Sequence, residues 1–171
     1  MTVKQLEKAI KSSAFLSGDF TTRAGKKTDY YIDKYLFETQ PHILSLLTTV
    51  IADSLESLHF DLIAAPAFGA VPISAVLSQR TQYPFIIIKH QDKQEPLILG
   101  SFQDNQNVII IEDILTSGKT ALETAIYLKK IGLNVVKIIC VVDREEGGVQ
   151  ALENKGFSVL AITSASQLKQ T

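Results

Sequence analysis

The sequence predicts an α/β domain built on a central, mostly parallel sheet, and three observations predict it. Five short apolar runs, residues 61–65, 85–88, 108–111, 135–142 and 157–162, are strand-sized and apolar on both sides. Central strands need that pattern when helices cover both faces of a sheet. Helical stretches at residues 72–78, 119–131 and 148–154 fall between the runs, so strand and helix alternate. The chain has 171 residues, of which 46% are hydrophobic, enough for one sizeable core without disulfides or metals. No repeat, low-complexity tract or linker divides it, and one domain is expected.

The elements follow in chain order. Leu6, Ile10 and Phe15 mark a short amphipathic helix, closed by the turn formers Ser17, Gly18 and Asp19. Residues 20–37, FTTRAGKKTDYYIDKYLF, alternate basic, small and aromatic side chains without helical period, which fits hairpin-like strands or an ordered loop. Pro41 opens a helix in which Ile43, Leu46, Leu47, Val50, Ile51, Leu55 and Leu58 recur at helical spacing. Gly132 and Gly156 stand where helix C-caps are needed.

Charge and cysteine content narrow the function classes. Seventeen Lys and Arg against eighteen Asp and Glu leave a net charge of −1, so no whole-molecule field gathers nucleic acid or anionic membrane, and neither partner is expected. The single Cys140 lies in the apolar run KIICVV, where a reduced, buried thiol is expected, and one cysteine supports neither an intrachain disulfide nor a cysteine metal cluster. Charges run through MTVKQLEKAIKSS, and no apolar run reaches the length of a signal segment or spanning helix, so a cytoplasmic protein is expected.

The chemistry is concentrated in residues 107–120, NVIIIEDILTSGKT. The ending SGKT resembles a P-loop, but Asp113 takes the place of the first glycine of G-x-x-x-x-G-K-[ST], the residue that lets backbone curl around phosphates. Glu112 and Asp113 would also face ATP phosphates with like charge. The same residues suit a ribose 5-phosphate: two carboxylates at a strand end accept from ribose hydroxyls, and the TSGKT loop with the following helix N-terminus receives one phosphate. The plainer alternative is a strand-to-helix turn in which Asp and Thr only cap the helix.

This stretch closely resembles the 5-phosphoribosyl 1-diphosphate (PRPP) motif of the type I phosphoribosyltransferases: apolar residues, two acids, then a Thr-rich loop with Gly. The resemblance implies that family's fold, with residues 1–38 as a small N-terminal hood and base-binding segment and residues 39–171 as the PRPP-binding core. It assigns Glu112 and Asp113 to the ribose hydroxyls and Thr116, Ser117, Gly118, Lys119 and Thr120 to the 5-phosphate, with Asp113 also catalytic. APAFGAVP, residues 65–72, resembles the diphosphate loop and contributes Ala67, Phe68 and Gly69; by itself it also reads as a simple strand-to-helix turn. FTTRAGKKTDYYID is similar to the signature of the orotate phosphoribosyltransferases, which places Arg23, Tyr31 and Ile32, together with Thr116, around orotate. VVDREEGG matches a further element of that family whose Arg contacts orotate, here Arg144. A guanidinium and an apolar face suit a flat anion carrying a carboxylate.

One segment departs from the family pattern. A mobile loop close to Arg-Lys-x-x-x-Lys-x-His-Gly covers PRPP in the family, and FIIIKHQDKQEPLILGSF, residues 85–102, corresponds to it but is about two residues shorter. Ile88 stands at the Arg position, Lys89 matches the following Lys, and Lys93 stands in for the second Lys one position late. Gln94 and Glu95 replace His-Gly, and His90 lies too early to match. Lys89 and Lys93 are therefore the expected catalytic cations. A missing guanidinium on the leaving group costs on the order of a few kcal/mol, roughly a hundredfold in rate. The resemblance further implies Mg²⁺ bound mainly through PRPP and water, with no metal held by protein side chains alone, and a homodimer. Transfer of phosphoribose from PRPP to orotate is the leading expectation. A non-catalytic PRPP- or nucleotide-binding relative and a transferase for another base remain open alternatives.

Overall fold

A computed structural model describes residues 2–21, 25, 27–92 and 94–171. Helix α1 (Val3–Ala14) starts at a capping box, in which the Thr2 side chain accepts from the Gln5 N–H and the Gln5 side chain accepts from the Thr2 N–H. Leu6, Ile10 and Ala14 form its buried stripe. Phe15, expected to continue that stripe, instead opens strand β1 (Phe15–Thr21), which pairs antiparallel with β2 (Lys27–Ile32). The Phe15 ring stacks on Tyr30 at 5.2 Å, a contact that the strand register provides and a continued helix would not. A hairpin forms as expected but over a different range: β1 runs through Ser17, Gly18 and Asp19, where a turn was expected, with a register irregularity between Ser17 and Phe20. Residues 34–38 form an unexpected short helix, α2 (Lys34–Glu38), capped by Asp33.

Helix α3 (Pro41–Ser54) begins at Pro41 as expected. The strand–helix alternation then runs β3 (Leu62–Pro66), α4 (Ala70–Thr81), β4 (Phe85–Gln91), β5 (Gln94–Leu99), β6 (Asn107–Leu115), α5 (Lys119–Lys130), β7 (Asn134–Asp143), α6 (Gly148–Glu153), β8 (Val159–Ser164) and α7 (Ala165–Gln170). The strands β3 to β8 form one sheet in the order β5-β4-β3-β6-β7-β8, parallel except for the edge pair β4 and β5. This is the α/β architecture the apolar runs predict.

The segment matched to a mobile loop folds differently. Its residues form the β4–β5 hairpin, paired as far as Gln91 opposite Gln94. Ile86 and Ile88, in the run expected as a strand, are wholly buried in one cluster with Leu62, Ala64, Val108 and Ile110, and pairing with β5 carries that strand on to Gln91. His90 Nε2 lies 2.8 Å from Thr124 Oγ1 of α5, which pins the strand further.

Apolar clusters cover both faces of the sheet. One joins α1, α3 and α4 to Ile63, Ile109, Ile111 and Ile139; the other joins α5 and α6 to Ile110, Ile138 and Cys140. Phe37 of α2 lies in the first cluster, so the N-terminal segment shares its core with the sheet. Polar ties hold it as well: buried Thr163 Oγ1 donates to Glu7 Oε1 at 2.9 Å, and Lys169 Nζ donates to Asp29 at 2.9 Å. Cys140 is a free, buried thiol whose pKa burial pushes up to about 12, so it is unreactive at neutral pH. No helix among the described residues is long and apolar enough to cross a membrane.

Ile110 sits on the central strand with no exposed surface. Replacing it with Ala leaves a cavity between sheet and α5, and the Ile110→Ala protein is expected to lose about 2–5 kcal/mol of stability in urea unfolding.

Candidate active site

In an open parallel sheet, ligands settle where neighbouring connections diverge from the carboxyl ends of the strands. Here β3 leads toward β4 on one side, while β6 leads toward β7 on the other. The loops after β3 and β6 therefore flare apart and leave a cleft of about 700 Å³. The β1–β2 hairpin and α2 contribute to its wall.

Most of the expected residues meet here. Tyr31, Ile32, Ala67, Phe68, Gly69, Glu112, Asp113, Thr116, Ser117, Gly118, Lys119, Thr120 and Arg144 all line the cleft. Lys89 does not: it stands exposed on β4, opposite Leu97 of β5, because strand alternation that buries Ile88 turns its neighbour outward. Arg23 and Lys93 lie outside the described residues.

The loop after β6 is held open for an anion. Gly118 adopts φ +73° at the N-cap of α5, a left-handed conformation that glycine takes without strain. No side chain caps the helix, so the first-turn N–H groups remain available and the plainer capping alternative does not apply. Asp113 is engaged elsewhere: its Oδ1 accepts from the Ile114 N–H at 2.7 Å. In REEGG, Gly147 takes a left-handed φ of +89° and Gly148 begins α6. A Cβ on Gly148 would lie 2.4 Å from the Thr116 carbonyl oxygen, so α6 packs on the loop only because that atom is missing.

A charged cluster closes the floor. Lys34 Nζ on α2 donates to Asp113 Oδ2 at 2.5 Å, with the lysine side chain 31% and the aspartate side chain 9% exposed. Burial alone would lower the Lys34 pKa, but the hydrogen bond and the charge of Asp113 outweigh it and raise the ammonium above its ordinary value. Gly69 makes this approach possible, since a Cβ at that position would lie 1.6 Å from Asp113 Oδ2. Glu112 is pushed up to about 8 by burial and by the negative charge of Asp113. Glu38, wholly buried at the end of α2, is likewise pushed to about 8 by burial and Asp113. Neither Glu38 oxygen meets hydrogen-bond geometry with a partner. Three acids thus crowd one ammonium, and burial favours the protonated form of Glu38 and Glu112.

At the other end, the Arg144 N–H donates to the Leu115 carbonyl at 2.9 Å, which fixes the arginine beside the β6 loop. Its guanidinium lies 5.2 Å from the Tyr30 ring centroid. Nε is 3.1 Å from Glu146 Oε1, an ion pair whose angle falls short of a hydrogen bond. Sequence reasoning passed over Lys34, Glu38 and Glu146. A signal existed for the first two, since KYLFE follows directly on the DYYID signature, but nothing local indicates that it faces Asp113.

Comparison with known proteins places this geometry in context. The family described as phosphoribosyl transferase domain matches residues 36–160. An orotate phosphoribosyltransferase of Methanocella arvoryzae is 35% identical over 171 residues, covering 98% of this chain and 97% of its own. The crystal structure of orotate phosphoribosyltransferase from Aeropyrum pernix superposes with a TM-score of 0.88 at 21% identity, covering 99% of this chain and 97% of the other. That of Mycobacterium tuberculosis in complex with PRPP superposes with a TM-score of 0.83 at 21% identity, covering 98% of each. The last two share the fold.

The buried acids make stability depend on pH. Glu38 is protonated in the fold up to about 8 but ionises near its ordinary 4.5 once unfolded, so its contribution is present at low pH and lost as pH rises through that interval. Glu38→Gln, which cannot ionise, is expected to match the parent near pH 4 and to exceed it at pH 8 by on the order of a few kcal/mol, measured by urea unfolding at both pH values.

Proposed function

Because the chain belongs to the phosphoribosyltransferase family, and within it to the orotate phosphoribosyltransferases, we propose that it transfers the 5-phosphoribosyl group of PRPP to orotate, yielding orotidine 5′-monophosphate and pyrophosphate. One observation carries the reading. Two adjacent acids, an uncapped helix N-terminus and a guanidinium line the same cleft, groups that suit a ribose diol, a phosphate and an anionic base.

Each residue then has a chemical task. The uncapped first turn of α5, with Thr116, Ser117, Lys119 and Thr120, receives the 5-phosphate through N–H groups, hydroxyls and an ammonium. Asp113 accepts from a ribose hydroxyl, and the protonated Glu112 both donates and accepts, so the ribose meets one negative charge and not two. The backbone of residues 66–69 receives the diphosphate. Arg144 takes the orotate carboxylate while Tyr31 and Ile32 border the ring. As the C1–oxygen bond to diphosphate breaks, the oxygen keeps the electron pair; N1 of orotate forms the new bond at C1 and gives up its N–H proton, which the departing diphosphate or water takes up. Negative charge beside the ribose favours the cationic ribosyl centre formed in between.

The donors that face the cleft here are the carboxylates Glu112 and Asp113, and among the described residues no group of three or more His, Cys, Asp or Glu is arranged to hold a metal ion. Mg²⁺ would bind mainly through PRPP and water beside Glu112 and Asp113, and would supply positive charge for the leaving group. The family resemblance supports a homodimer, and the exposed Tyr35, Leu36 and Phe68 beside the cleft are compatible with a covering partner. A non-catalytic PRPP-binding relative is a second reading, favoured by Lys89 standing outside the cleft.

Loss of orotate absorbance with purified protein, PRPP and Mg²⁺ tests the proposal. Consumption supports transfer; PRPP binding by calorimetry with no consumption supports the second reading. Asp113→Asn is expected to lower kcat/KM by roughly a hundredfold. Arg144→Ala is expected to raise KM for orotate roughly tenfold to a hundredfold with PRPP affinity retained. Unchanged orotate turnover in both variants overturns the site assignment.

A further inference from the structure

We propose that Lys34, carried by α2, is a catalytic residue that binds the diphosphate of PRPP, moving from Asp113 onto the departing group. The proposal rests on the reading of the cleft given above. Nothing in the PRPP loop, the signature residues or the β4–β5 segment assigns it.

Its position argues for this role. Nζ lies 2.5 Å from Asp113 Oδ2, and a Cβ on Gly69 would stand 2.6 Å from the same nitrogen. The ammonium is therefore wedged between the acid that faces the ribose and the loop that faces the diphosphate. The absence of a side chain at Gly69 is what leaves it room.

Substrate binding changes the balance. A ribose hydroxyl that donates to Asp113 competes for the oxygen Lys34 now holds. A partly buried ammonium deprived of its counter-charge is costly to keep in place, and the nearest incoming anion is the diphosphate resting on residues 66–69. The anchor is firm while the reach is long. Phe37 and Glu38 bury α2 against the core, whereas the four-carbon stem lets the ammonium swing.

The other cations that line the cleft among the described residues are placed for other groups. Lys119 begins α5 at the phosphate loop and pairs with Glu123, and Arg144 lies against Tyr30 and Glu146. Lys34 is the one beside Gly69. When the C1–oxygen bond breaks, the diphosphate oxygen keeps the electron pair, and Lys34 stabilises that charge through N–H donors without surrendering a proton. Because this charge grows toward the transition state, the effect falls on kcat.

The test uses full-length protein, Lys34→Met and Lys34→Arg, titrated by calorimetry with inorganic pyrophosphate and, separately, with ribose 5-phosphate, at one fixed Mg²⁺ concentration. Steady-state rates are measured alongside. Lys34→Met is expected to bind pyrophosphate at least about tenfold more weakly and to lose kcat by a similar factor or more. It should bind ribose 5-phosphate no more weakly than the parent, which also reports an intact fold. Lys34→Arg should recover most of the pyrophosphate affinity. Unchanged pyrophosphate affinity and kcat in Lys34→Met overturn the proposal. Equal weakening of both ligands also overturns it, since Lys34 then only positions Asp113. Failure of the parent itself to bind ribose 5-phosphate overturns the cleft reading and the proposal with it.

Discussion

Charge neutrality at the carboxyl end of β6 is the constraint on which the rest of the site depends. Glu38, Glu112 and Asp113 are all buried there, and Lys34 is the ammonium that faces them. Three ionised carboxylates around one ammonium would leave two uncompensated charges out of water, so burial and mutual repulsion keep Glu38 and Glu112 protonated up to about 8. One negative and one positive charge remain, bonded to each other. That single pair joins residues 79 positions apart and ties the N-terminal segment to the sheet.

The packing of the backbone around this pair follows from it. Gly69 must lack a side chain because Asp113 occupies the space, and the same gap brings the loop after β3 close to the loop after β6. Gly148 does the equivalent for α6 against the Thr116 carbonyl. Two close backbone approaches therefore shape a cleft whose polar groups point inward. The N-terminus of α5 has no side-chain cap, which leaves its first-turn N–H groups facing the cleft.

A second chain of contacts organises the far end. Lys169 of α7 holds Asp29 and lies 4.4 Å from the Tyr30 ring centroid; Phe15 stacks on Tyr30, and Arg144 lies over the same ring. The guanidinium is thus oriented by an aromatic face and by Glu146. The Arg144 end and the Asp113 end of the cleft are therefore supported by different elements.

How much was legible depended on distance along the chain. The α/β class, the central strands, the helix opening at Pro41 and the acid–acid–loop stretch of residues 107–120 were determined by the sequence alone. In each case the residues that define the feature are neighbours, and a single strand, turn or helix sets their geometry. Where sequence reading went astray, tertiary contacts overrode local pattern: the strand expected at 85–88 runs on to Gln91 and pairs with β5 where a loop was matched, and Phe15 left its helix to stack on Tyr30. Only the tertiary structure decided that Lys34 faces Asp113, that Glu38 and Glu112 stay neutral beside it, and that Lys89 faces solvent outside the cleft. These depend on which strand lies next to which and on how much water each charge keeps. Sheet order and desolvation are properties of the folded chain, and no window of adjacent residues contains them.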